Sequence, residues 1–168
     1  RSPAQLAGIK PGEPLLTING HEIIDVLDYR FYGYDADSHL TLREPNGAQR
    51  AVHIRKQEGQ DLGLNFDTYL MDEMRSCANH CIFCFVDQMP PGMRQTLYFK
   101  DDDARLSFLL GNYITLTNLT EREAQRIIDL HICPINVSVH TTDPQLHCTM
   151  LGNKNAGRSL EYIRAFCK

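Results

Sequence analysis

Apolar positions along the chain follow two rhythms, and the change between them divides the chain. Up to about residue 58 the apolar runs are short and strand-like. Leu15-Leu16-Thr17-Ile18 reads as a strand stopped by the turn dipeptide Asn19-Gly20. His39-Leu40-Thr41-Leu42-Arg43 and Ala51-Val52-His53-Ile54-Arg55 alternate apolar with polar, and Pro45-Asn46-Gly47 between them signals a hairpin. Two short helices accompany these strands. One covers residues 2–8 and ends at glycine; the other covers 26–34, with Val26, Tyr29, Arg30 and Gly33 on one side.

Past residue 66 strands and helices alternate. Part of 62–74 is expected to form a first strand. Asn112-Tyr113-Ile114-Thr115-Leu116-Thr117-Asn118 reads as a buried strand. Thr120 and Glu123 form a capping box, and the helix behind it places Ala124, Ile127, Ile128 and His131 on one face. Residues 134–140 read as a second buried strand, giving a strand–helix–strand unit with parallel strands. Asp143-Pro144 opens another helix by N-cap and proline at the first helical position, and 159–168 is a last one. The expected organisation is a β-rich domain over 1–58, a linker over 59–66 and a β/α region over 67–168, hence an α/β chain.

Composition narrows the function classes. Of 168 residues 42% are apolar, enough for a core, and the formal net charge of −4 leaves no basic footprint for nucleic acid. No apolar run approaches membrane-spanning length. Six cysteines could suggest disulfides, but three of them crowd into eight residues, which favours a reducing, cytoplasmic setting.

Those three carry the candidate chemistry. Cys77-Ala78-Asn79-His80-Cys81-Ile82-Phe83-Cys84 spaces its thiols x3 and then x2, with an aromatic residue before the third. Three soft ligands from one short loop suit a soft metal centre. Zinc sites usually close four ligands from C-x2-C pairs, and no second such pair exists in the sequence. A zinc knuckle, an electron-transfer cluster and a cluster with one open iron are the alternatives. Lys100-Asp101-Asp102-Asp103-Ala104-Arg105 reads as a solvated charged run at a helix start, with a cation site as the competing reading.

The cysteine loop resembles the signature of radical S-adenosylmethionine (SAM) enzymes. That resemblance implies that Cys77, Cys81 and Cys84 ligate a 4Fe-4S cluster, that SAM binds its fourth iron, and that Phe83 lies beside the adenine. It implies reductive cleavage of SAM to a 5′-deoxyadenosyl radical, a partial β/α barrel, and an electron donor such as a flavodoxin or ferredoxin. Strand-end polar residues Asn118, Ser138, His140 and Thr141 are the candidates for SAM or substrate contact, since chemistry in parallel β/α folds gathers at strand C-termini. Thr117 with Asn118 stands where the family places its SAM amino-group site.

Further upstream, Ser2-Pro3-Ala4, Ala7-Gly8-Ile9-Lys10-Pro11-Gly12-Glu13 and Ile18-Asn19-Gly20-His21 resemble the middle of PDZ domains, which bind extended peptides at a sheet edge. A peptide or protein ligand of this PDZ-like part is the partner that resemblance implies. A non-catalytic PDZ-like adaptor with a structural zinc knuckle is the alternative function. Together with INVSVHTTDP and GNYITLTNLT, the whole chain resembles a bacterial group that joins a PDZ-like segment, a radical SAM core and a further C-terminal domain. By that resemblance the sequence is a fragment lacking both ends.

Overall fold

The computed structural model describes residues 1–167. By contacts the chain forms two compact units, divided between Glu73 and Met74. The expected helix over 159–168 is present as Ser159–Phe166, and its last residue, Lys168, lies outside the described residues.

The first unit is a four-stranded antiparallel sheet with two helices. Its elements are α1 (Pro3–Leu6), β1 (Leu15–Ile18), β2 (His21–Glu22), α2 (Val26–Tyr32), β3 (Asp37–Arg43) and β4 (Gln49–Arg55), with strand order β2-β1-β3-β4. Asn19 and Gly20 both take positive φ, 51° and 82°, which makes a two-residue turn whose twist suits the β1–β2 hairpin. The alternation read in the sequence is the burial pattern observed. Leu40, Leu42, Val52 and Ile54 face the core with Ile18, Tyr29 and Ala4, while Asp37, His39, His53 and Arg55 lie exposed on the opposite face. Leu62, within the expected linker, is buried in this core, and its carbonyl accepts the Ala4 N–H at 2.9 Å.

The second unit contains α3 (Ala104–Leu110), β5 (Tyr113–Ile114), α4 (Glu121–Asp129), β6 (Asn136–Val137), α5 (Pro144–Leu151) and α6 (Ser159–Phe166). β5 and β6 pair in parallel, Tyr113 with Asn136 and Ile114 with Val137, with α4 as their crossover. The expected strand–helix–strand unit is therefore present, but its strands are short. Among the described residues the parallel sheet has two strands and does not close into a barrel.

Side chains cut the strands short. The Asp102 carboxylate takes the Thr115 N–H at 2.5 Å, and Leu116 turns the chain at φ 60°, so the strand expected over 112–118 stops at Ile114. The one expected over 134–140 continues past Val137 only through the Ser138 N–H, which donates to the Ile114 carbonyl at 2.8 Å. It is half-buried there, and His140 at its end is exposed, not inside a buried strand. No strand forms over 62–74, a stretch without sustained two-residue alternation. Ser76 instead makes an isolated antiparallel bridge with Asp101.

Capping fixes the helices as their sequences indicate. Thr120 accepts the Glu123 N–H and Glu123 reaches back to the Thr120 N–H at 2.8 Å, while also pairing with Arg75. Burial works to raise the Glu123 pKa, but the Thr120 hydroxyl and amide together with Arg75 outweigh it and hold the carboxyl below its usual range. A lowered folded-state pKa stabilises fully above the unfolded glutamate value, near ~4.3, and the gain disappears as pH falls through the folded value. Glu123→Gln is therefore expected to cost about 1 kcal/mol at neutral pH. Unfolding curves of the two proteins should converge as the solution is acidified below pH ~4; a gap that persists unchanged contradicts the assignment.

Candidate functional site

The cysteine loop is held at its start, its middle and its end. At the start, the Cys77 N–H donates to the Lys100 carbonyl at 2.7 Å. In the middle, the N–H groups of His80 and Ile82 donate to the carbonyls of Leu151 and Met150 at 2.9 and 3.1 Å. These are the last carbonyls of α5, which have no partner within the helix. At the end, the Cys84 N–H folds back onto the Cys81 carbonyl at 3.0 Å.

The C-terminus of α5 is shaped to receive the loop. Gly152 adopts φ 58°, the Gly152 N–H donates to Thr149 O, and the Asn153 N–H donates to Cys148 O, which together form a Schellman end. The close approach needs glycine. A Cβ on residue 152 would sit 2.5 Å from the His80 carbonyl oxygen.

A buried polar network locks the loop from beneath. Asn79 is 1% exposed, the deepest residue between the first two cysteines. Its Oδ1 accepts from Thr117 Oγ1 at 2.9 Å and from Asn153 Nδ2 at 2.8 Å. Its Nδ2 donates to Thr115 Oγ1 at 2.9 Å, and that hydroxyl donates to Asp102 Oδ2 at 2.7 Å. Every donor thus has an acceptor, and the chain of bonds ends on a carboxylate, an arrangement in which successive bonds polarise one another. Burial nevertheless pushes the Asp102 carboxyl up, against the pull of the Thr115 hydroxyl and N–H.

The charged run is not solvated as the sequence suggested. Asp102, Asp103 and Arg105 are all buried. Asp103 caps α3, accepts the Arg75 N–H at 3.1 Å and pairs with Arg105 Nη2 at 2.7 Å. Buried charges persist only when paired and hydrogen-bonded, as Asp103 and Arg105 are. The helix-start reading of this run holds, and three-dimensional partners from residues 75 and 115 draw its acids inside. Lys100 completes the frame: its ammonium donates to the Asn79 carbonyl at 2.8 Å and to Asp87 Oδ2 at 3.0 Å. Burial opposes its charge, but Asp87 and the sulfurs of Cys84 and Cys77 outweigh that and raise its pKa.

Cys77, Cys81 and Cys84 are free and half-buried. Burial pushes the Cys77 and Cys81 thiols up, so a bound metal must displace their protons. A tetrahedral zinc with Zn–S near ~2.3 Å would draw its thiolates to about 3.8 Å of one another. A cubane cluster binds each thiolate at a separate corner iron and holds them further apart. Three soft thiolates from one short loop are a donor set that fits such a cluster.

Of the other expected site residues, the structure brings two together. The Phe83 and His140 rings lie 4.5 Å apart by centroid at 54°. His147 lies 6.3 Å beyond His140, buried, with Nε2 3.3 Å from Ser159 Oγ. Thr141 Oγ1 accepts the Asp143 N–H at 3.2 Å, in the turn that starts α5. Ser138 takes part in the β5–β6 pairing. Asn118 uses its amide to tie Ser76 O at 3.3 Å to Asp102 O at 3.1 Å, binding the approach to the loop to the start of α3.

Asn79, Thr115, Gly152 and Asn153 were not singled out from sequence, and Asp102 was read only as part of the charged run. Two signals were there to find them. Thr115 and Thr117 are polar residues two apart in an apolar run, and Leu151-Gly152-Asn153 is a helix-end pattern.

Fold and loop together define an α/β protein built around a framed three-thiol loop. The chain belongs to the Radical SAM-like domain family, whose pattern matches residues 56–168. None of the curated proteins and none of the solved structures matches the chain. No helix among the described residues is long and apolar enough to cross a membrane.

Proposed function

We propose that the chain is the core of a radical SAM enzyme of oxidoreductase type, with Cys77, Cys81 and Cys84 holding a 4Fe-4S cluster that leaves one iron to S-adenosylmethionine. The observation that carries this reading is the three-thiol loop itself, fixed by backbone and buried side chains, within the stretch that matches the Radical SAM-like domain family. Cys77, Cys81 and Cys84 would hold the cluster, which would supply the electron for cleavage of SAM to methionine and a 5′-deoxyadenosyl radical.

This chain's residues do the rest. Lys100, held by Asp87, places a positive charge beside the thiolates and offsets the negative charge they carry with the cluster. Phe83 and His140 form an aromatic pair suited to an adenine face. Ser138, Thr141 and Asn118 follow the C-terminal ends of β5 and β6, where polar contacts to SAM or substrate belong. The β5–α4–β6 unit is read as part of a partial barrel, and the first unit as a PDZ-like module able to take a peptide. A flavodoxin or ferredoxin in the cytoplasm is the proposed electron donor.

The test is anaerobic reconstitution with iron and sulfide, reduction, and electron paramagnetic resonance with and without SAM. A reduced 4Fe-4S signal that changes shape on adding SAM is expected. A signal indifferent to SAM would assign the loop to electron transfer, and bound zinc with no cluster would make it a structural knuckle; either result defeats the proposal.

A further inference from the structure

The exposed face of the first unit carries a second constellation of ligands, far in sequence from the cysteines. His39 and His53 are directly opposite on β3 and β4, as are Asp37 and Arg55. The His39 N–H donates to Asn19 Oδ1 at 2.8 Å and its carbonyl accepts the Asn19 N–H at 2.8 Å. Both main-chain groups of His39 therefore point away from β4. The His39–His53 pair is then of the non-hydrogen-bonded kind, which brings side chains closest. The two rings lie 4.3 Å apart by centroid and within 5° of parallel.

Both imidazoles turn the same nitrogen to the same oxygen. His53 Nε2 is hydrogen-bonded to Asp37 Oδ1, and His39 Nε2 lies 3.8 Å from that atom. The other oxygen of Asp37, Oδ2, lies 3.7 Å from Arg55 Nε, which turns the carboxylate so that Oδ1 faces the rings. One ligand atom from each of Asp37, His39 and His53 lies within 4.8 Å of the other two. All three residues are exposed, so solvent can supply the remaining ligand.

The geometry points to a surface site for a late first-row divalent cation, held by His39 Nε2, His53 Nε2 and Asp37 Oδ1. Two imidazoles and a carboxylate suit zinc, and also nickel or copper, whereas calcium and magnesium prefer oxygen ligands alone. The register of adjacent strands sets the three side chains next to one another on one face before any ion arrives. The ion would take the place of the hydrogen bond between His53 and Asp37 and bind the oxygen toward which both rings turn. This site is independent of the proposed cluster, and neither stands or falls with the other.

The test is a zinc titration of the full chain carrying serine in place of all six cysteines, Cys77, Cys81, Cys84, Cys133, Cys148 and Cys167, which removes the competing thiols, followed by nitrogen–proton correlation spectra of the imidazoles. Wild-type chain with alkylated thiols serves as a second preparation. At one equivalent of zinc the His39 and His53 resonances should move together while those of His21, His80, His131, His140 and His147 stay in place. His53→Gln and Asp37→Asn should each weaken binding by about tenfold or more. His39→Gln is the substitute should either variant lose its native spectrum. Unmoved His39 and His53 resonances at millimolar zinc, or undiminished affinity in the variants, overturn the inference.

Discussion

Gly152→Ala should strip the cysteine loop of its register and leave the protein with no more reconstituted iron than Cys81→Ala. Two costs combine. An alanine at φ 58° carries the left-handed penalty of about 1–2 kcal/mol. Its Cβ would also lie 2.5 Å from the His80 carbonyl oxygen and 3.1 Å from the His80 carbonyl carbon. The obstacle is backbone, so it cannot swing aside like a side-chain tip. Either the Schellman end of α5 opens or residues 80–82 lift off it, and both break the bonds that His80 and Ile82 make to Leu151 and Met150. The total should reach about 3 kcal/mol or more.

Gly92 supplies the control. It lies in the same unit at φ 86°, and a Cβ there meets nothing within 4 Å. Gly92→Ala should bear the left-handed penalty alone and reconstitute normally. Iron and sulfide per chain, with the thermal midpoint, read both variants. Equal behaviour of the two would show that the approach of α5 to the loop is not what sets the ligands.

The contrast explains what was legible in the sequence. Local chemistry was: Asn19-Gly20 makes the turn it signals, Thr120 and Glu123 form the capping box, and Asp143-Pro144 starts α5. Each is decided by residues within a few positions of one another. The cysteine spacing was legible for the same reason. The α4 face was read correctly at Ala124 and Ile127, because helical periodicity reports which side meets the core.

What escaped depends on partners distant in sequence. The charged run at 101–105 has the composition of a surface, and nothing local says that Thr115 will bring both an N–H and a hydroxyl to Asp102. The same bond explains the shortened β5, since an N–H given to a carboxylate is lost to the sheet ladder. Likewise, the Gly152 contact joins positions on α5 and the cysteine loop that no periodicity links. The Asp37, His39 and His53 cluster was half legible: alternation places 37, 39 and 53 on one face, but the register that sets His39 opposite His53 is a property of the folded hairpin.

Asn79 is where these long-range bonds converge, and its replacement gives the second large effect. Asn79→Leu conserves volume but takes the acceptor from Asn153 Nδ2 and leaves the Thr115 and Thr117 hydroxyls only each other, 3.0 Å apart. A stranded group costs about 1–3 kcal/mol and the lost bonds add to it, so the loop and its frame should lose about 3 kcal/mol. Lys100 still reaches the Asn79 carbonyl, because that contact is to the main chain, so the damage falls on the side-chain network. Hydrogen exchange reads it locally: the His80 and Ile82 amides should lose protection by a factor of about a hundred or more. Amides of β3 and β4, in the other unit, should keep theirs. If His80 and Ile82 exchange as slowly in the variant as in the wild type, main-chain bonds to α5 alone hold the loop. Asn79 would then fill space beneath the cysteines without ordering them.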